Sequence, residues 1–162
     1  VLDLITKNVV SVLNVKGCVI FLLDKTLKRL EERAYHGLSE KYTKKGPLHS
    51  DKSIAKSLDG PVLIRDVAKD PGIQYPEEAK KEGIASILSV PMPVKGNVIG
   101  VMRIYIPELH DVSDDEIELV SGLAEIGGIA IENAGMFDHL KTDHEQLINE
   151  VHRWFDYGTT SL

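Results

Sequence analysis

Ile84-Ala85-Ser86-Ile87-Leu88-Ser89-Val90-Pro91-Met92, then the turn Lys95-Gly96-Asn97, then Val98 through Ile106, is the stretch that decides the fold. Two apolar runs flank a turn-forming tripeptide, the pattern of a β-hairpin. Each run is apolar at consecutive rather than alternate positions. Such strands need cover on both faces, so this hairpin belongs inside a layered domain. Gly100, within the second run, marks a bulge or a close backbone approach.

Upstream, Cys18-Val19-Ile20-Phe21-Leu22-Leu23 repeats the two-sided pattern, and Asp24 to Lys28 is a polar turn. Residues 29–36 mix charge with Leu30, Ala34 and Tyr35, as suits a strand nearer an edge. These runs form a second predicted hairpin. Before it, Leu2, Ile5, Val9 and Val12, with Leu13 beside them, give an amphipathic helix over 1–16, stopped at Gly17. Residues 37–60 read as loop with a short helix at 51–58, and Val62-Leu63-Ile64 as a short strand. Asp70-Pro71-Gly72 is a turn signal. Pro76 opens a helix that Gly83 closes, the expected asymmetry of Pro inside the start and Gly past the end. Downstream, Ser113 precedes Glu116 by three residues, a capping box, and Asp114 and Asp115 suit the first turn's dipole. The predicted class is α+β, with an antiparallel central sheet of about five to six strands.

The chain has 162 residues and a net charge of −6. An acidic balance argues against nucleic acid as the partner. No apolar run approaches the ~20 residues of a membrane-spanning helix, and no signal pattern precedes the first helix. That helix starts abruptly, so a longer chain is expected to precede it. Cys18 stands alone, so no intramolecular disulfide forms, and a reducing, cytoplasmic setting is expected.

From Ser113 the last helix reads through to about Tyr157, with soft spots at Gly127, Gly128 and Gly135. Steps of four and three give Leu119, Leu123, Ile126, Ala130, Asn133, Phe137, Leu140, His144, Leu147, Val151 and Trp154. A sustained seam of this kind packs along another helix, and a second copy of the chain is the simplest partner. Asn133 would fix the register, and Gly127-Gly128 would let helices approach closely.

Gly60 to Ile64 with Asp66 and Asp70-Pro71, Gly83 to Met92 with the turn at Gly96 and Val98-Ile99-Gly100-Val101, and the ending Leu123 to Ala134 together resemble the GAF domain family. The resemblance covers roughly 1–137. It implies terminal helices on one face of the sheet, often forming a dimer. On the other face, connecting helices and loops enclose a small-ligand pocket, and the whole acts as a sensory or regulatory module. The expected organisation is a GAF-like domain at 1–137, an extended signalling and dimerisation helix at 138–157 and a tail at 158–162.

The chemistry-bearing subfamilies fit poorly. The cyclic-nucleotide motif is broken, with Val112 at its Phe position and Glu116-Ile117 at its Asp-Glu pair. Cys18 has no neighbouring His for bilin attachment and no second Cys for sulfoxide reduction. A haem ligand would have to be His36 or His49, and the carboxylates near His110 are explained by helix capping. No nucleophile and base set or phosphate loop stands out, so no enzyme is expected. The expected pocket residues are Arg65, Asp66, Tyr75, Ser86, Ser89 and His36, with Arg103 an alternative to His36. Strand alternation lets Ser86 or Ser89 face the pocket, not both. The expected function is small-molecule sensing relayed through a dimeric helix bundle. The alternatives are a ligand-independent dimerisation module and a haem or other cofactor sensor. The sequence names neither ligand nor cofactor.

Overall fold

The computed structural model describes residues 1–24, 29–44 and 56–135. Helix α1 (Leu2–Leu13) leads into strands β1 (Gly17–Asp24) and β2 (Arg29–His36). A one-turn helix α2 (Glu40–Thr43), a short strand β3 (Val62–Ile64) and helix α3 (Pro76–Glu82) follow. Strands β4 (Ser86–Val94) and β5 (Asn97–Ile106) form the central hairpin, and helix α4 occupies residues 114–135. The five strands are ordered β2-β1-β5-β4-β3, and every pairing is antiparallel. The charged strand β2 is at an edge, where charge discourages pairing with other chains.

Alternation along the strands divides the core in two. Cys18, Ile20, Leu88, Val90, Met92, Met102 and Ile104 pack beneath the terminal helices with Val9, Val120 and Ala124. Val19, Phe21, Ile87, Val101 and Tyr105 point the other way, against Tyr42 of α2, Ala79 of α3 and Val67 of the intervening loop. We call these the helix side and the loop side. Both faces are covered, which is why consecutive residues of β1, β4 and β5 are apolar.

The details show how each turn is made. Lys95 and Gly96 both take positive φ, 50° and 80°. That is the conformation a two-residue hairpin turn needs to match the strand twist. At Gly100 a Cβ would stand 2.2 Å from the Phe21 carbonyl oxygen, so β1 and β5 approach there as only glycine permits. The bulge itself falls opposite, between Met92 and Pro93.

The end of α1 and the cap of α4 differ from expectation. Helix α1 ends at Leu13 and is capped by Asn14 in the left-handed conformation, not by Gly17, which already belongs to β1. Asparagine tolerates that conformation because its side chain bonds locally. Gly127 and Gly128 bring α4 onto the sheet. A Cβ on Gly127 would meet Met92 Cε at 3.1 Å, and one on Gly128 would meet the Pro93 carbonyl oxygen at 3.0 Å. Only half of the capping box at α4 forms. Ser113 Oγ accepts the Glu116 N–H at 3.2 Å, but the Glu116 carboxylate turns to His110 Nε2 at 2.8 Å. Most of the short helix expected at 51–58, and the chain from 136 on, lie outside the described residues.

Candidate functional site

The loop side of β4 and β5 has one polar row. Ser89 is paired directly with Arg103, which is paired with Val19 on β1, and Val62 flanks Ser89 on β3. Ser89 lies between Ile87 and Leu88 on one side and Val90 on the other, so its side chain shares the face of Ile87. Arg103 shares the face of Val101 and Tyr105 by the same alternation. Both are closed off from solvent, Ser89 at 0% exposure and Arg103 at 2%.

This burial has an electrostatic cost. A guanidinium is always charged, and taking it out of water is unfavourable unless partners compensate. The Tyr105 ring gives partial compensation, with Arg103 Cζ 5.9 Å from its centroid, and Tyr42 meets Tyr105 edge-on at 5.9 Å. Arg103 makes other interactions, and they leave its Nε without a hydrogen bond. Ser89 Oγ and Gln74 Oε1 are likewise buried and unsatisfied. Gln74 lies in the loop that packs on this side through Ile73, and its Nε2 donates to Tyr75 Oη at 3.1 Å. Buried polar atoms nearly always find partners, so unsatisfied ones on one side of a domain call for a physical account.

Two contacts hold the cover of this face. Glu82, at the end of α3, accepts from Ser39 N at 2.6 Å and from Ser39 Oγ at 2.7 Å. Ser39 Oγ in turn accepts from Tyr42 N at 3.1 Å, capping α2. One carboxylate thereby joins the two helices of the loop layer.

The other expected pocket residues scatter. Ser86 has the helix-side parity. Its hydroxyl lies 2.8 Å from the Arg65 carbonyl and 2.9 Å from the Glu108 carbonyl, and it accepts from His110 N at 3.2 Å. It staples three chain segments, and its one donor is committed to the two carbonyls. The Arg65 side chain is exposed and pairs with Asp111 at 3.4 Å. Asp66 accepts from Ala68 N at 3.0 Å, shaping its own turn. His36 is opposite Cys18, so it is on the helix side of the edge strand and exposed. That position removes it from a loop-side ligand, haem included, and His49 lies outside the described residues. Among the described residues no group of three His, Cys, Asp or Glu is arranged to hold a metal ion.

Tyr42 and Gln74 were not singled out by the sequence. Arg103 carried the readable signal, a lone charge inside the apolar strand Val98 to Ile106.

On α4, Leu119 and Ile126 are exposed, Ile126 at 67%, and Ile129 is exposed beside them. Leu123 instead packs against the chain's own helix-side core. Leu4 and Val12 of α1 are exposed as well. Ala130 is half-buried, and Asn133 is exposed. Phe137, Leu140, Leu147, Val151 and Trp154 lie outside the described residues.

The arrangement of terminal helices, sheet and loop layer has known counterparts. The profile of the GAF domain matches residues 1–132. The chain belongs to the GAF domain family. A curated relative, the methyl sulfide methyltransferase-associated sensor of Methanosarcina acetivorans, is 30% identical over 132 residues, 76% of this chain. The match spans 13% of that sensor's length. Among solved structures, the GAF domain of a phosphoenolpyruvate-protein phosphotransferase from Coxiella burnetii superposes with a TM-score of 0.72 at 21% identity, covering 85% of this chain and 84% of that one. A domain described as part of a two-component sensor histidine kinase from Sinorhizobium meliloti gives 0.68 at 24%, covering 82% and 88%. These likenesses establish the fold. Family membership and the sensor relative mark the chain as a sensory or regulatory domain. Among the described residues no helix is long and apolar enough to cross a membrane.

Proposed function

We propose that this GAF domain senses a small molecule on the loop side of its sheet and reports through its terminal helices in a cytoplasmic homodimer. The observation behind the reading is the double use of β5. Its loop-side face carries Arg103, while Met102 and Ile104 on its other face pack beneath α1 and α4. A ligand that shifts Arg103 moves the strand on which the helices rest. The exposed Leu119, Ile126 and Ile129, with Leu4 and Val12, would then be covered by the partner copy. The organisation in this reading remains a sensory domain at 1–137 continued by a signalling helix at 138–157.

Native mass spectrometry of the purified protein, at gentle and then denaturing settings, tests it. A mass excess lost on denaturation supports sensing. A dimer with no excess, unaltered by any metabolite, favours instead a ligand-independent dimerisation module, for which the exposed apolar stripe on α4 is sufficient reason. Replacing Leu119 and Ile126 by Lys should yield monomers under both readings, seen by light scattering. A surviving dimer would refute the use of this stripe.

A further inference from the structure

We infer that protonation of His110 fastens the start of α4 to the sheet, and that its deprotonation releases Glu116 to cap the helix from within. The switch involves no group of the loop-side face, so it stands whether or not a small molecule binds there.

Glu116 has two claimants for one carboxylate. Its place in the capping box calls it to the Ser113 N–H, and Ser113 Oγ already accepts the Glu116 N–H at 3.2 Å. Instead Oε2 meets His110 Nε2 at 2.8 Å, while Oε1 stays 3.4 Å from Ser113 Oγ. Glu116 is exposed, so a rotation of its side chain is enough to move it from one partner to the other.

The imidazole end of this bond is anchored. Ser86 is fully buried in β4, where its hydroxyl accepts from His110 N at 3.2 Å and lies 2.9 Å from the Glu108 carbonyl. The bond from His110 to Glu116 therefore continues a tie that runs from β4, through the connector after β5, to the first turn of α4. Its strength depends on charge. A hydrogen bond between an imidazolium and a carboxylate is about twice as strong as one between neutral groups. Neutral His110 loses much of that advantage. The Ser113 N–H keeps its own, because it lies at a helix N-terminus, where a carboxylate is favoured.

The groups around His110 place the transition. Glu116 faces it from α4, whose first turn also carries Asp114 and Asp115, and Glu108 and Asp111 flank it on the connector. Arg65, in the segment after β3, pairs with Asp111 at 3.4 Å. The bond to Glu116, and then the neighbouring carboxylates, hold the proton, so the change falls above the ordinary 6.5 of a histidine.

The test is a titration of the whole chain by NMR, from about pH 5.5 to about 8.5, across the range in which histidine charges. The His110 ring, the Glu116 carboxyl carbon and the Ser113 amide are followed together. All three should move with one midpoint, above that of an ordinary histidine, and the Ser113 amide proton should shift downfield as pH rises and it gains the carboxylate. In Glu116→Gln the side-chain oxygen can complete the capping box at every pH. Its Ser113 amide should stay near the parent's alkaline position, and the His110 midpoint should fall. In His110→Gln the Ser113 and Glu116 signals should likewise hold their alkaline positions. A Ser113 amide that still follows His110 in Glu116→Gln would be reporting nearby charge alone, and would overturn the switch. So would a parent whose Ser113 amide stays still while His110 titrates, or a His110→Gln protein whose Ser113 amide titrates as the parent's does. Both substituted side chains reach solvent, so neither variant is expected to lose its fold.

Discussion

Replacing Gly100 by Ala would place a methyl 2.2 Å from the Phe21 carbonyl oxygen and 3.0 Å from Leu22 Cδ2. In an ordinary strand the exchange stabilises, by about 0.5–1 kcal/mol, since alanine loses less chain entropy on folding. At this position the sign reverses. Carbon and carbonyl oxygen settle no closer than about 3.3 Å, so the contact must open by about 1 Å. The leucine methyl can rotate away, but the Phe21 carbonyl is fixed in β1, which is flanked by β2 and β5. Overpacking of this kind costs about 1–3 kcal/mol, and a backbone obstacle places it at the upper end. We expect a net loss of about 2–3 kcal/mol. For a chain of this size that is a fall in Tm of roughly 5–10 °C. Urea unfolding followed by circular dichroism would show a lower midpoint at unchanged slope. Gly122→Ala is the control, because a Cβ there meets nothing within 4 Å and the helix gains about 1 kcal/mol. A Gly100→Ala protein as stable as its parent would refute the β1–β5 approach as described.

Ser86→Ala should cost about 1–3 kcal/mol in denaturant unfolding, since it strands His110 N and two carbonyls; a neutral result would mean that water replaces the hydroxyl. Burial pushes the Cys18 thiol up to about 12, so alkylation by iodoacetamide should be slow in the native protein and follow global unfolding; fast native labelling would contradict the packed strand. The hydrogen bond to Glu116 raises the His110 pKa, and the same bond lowers that of Glu116. The His110 contribution is complete below its ordinary 6.5 and is lost as pH rises through the raised value; the Glu116 contribution is complete above its ordinary 4.5 and is lost as pH falls through the lowered value. The stability gap between parent and His110→Gln should therefore be widest from pH 4.5 to 6.5 and small throughout, because the pair is exposed. A gap that widens as pH rises beyond that window would reverse the assignment.

Much of the architecture was legible because it rests on local rules. Consecutive apolar residues in 18–23, 84–92 and 98–106 required two covered faces, and Lys95-Gly96-Asn97 required a hairpin. Pro76 and Gly83 bounded a helix that forms as Pro76–Glu82. The end of α1 was less legible, because both Asn14 and Gly17 suit a stop and only the path into β1 chooses between them.

The candidate site was legible in residue type but not in placement. Ser86 and Ser89 look alike in sequence, and alternation said only that they face opposite ways. The register with β5 and the packing of Ile87 put Ser89 on the loop side beside Arg103, while the turn after β5 satisfies Ser86. His36 went to the helix side through its pairing with Cys18. The heptad on α4 divided in the same manner, with Leu123 turned to the chain's own core and Ile126 to solvent. The sequence by itself therefore determined the elements, their order and the need for two covered faces, because propensity and periodicity act over a few neighbouring residues. Tertiary structure alone decided which polar side chains meet, because register and burial depend on strands and helices far apart in the chain.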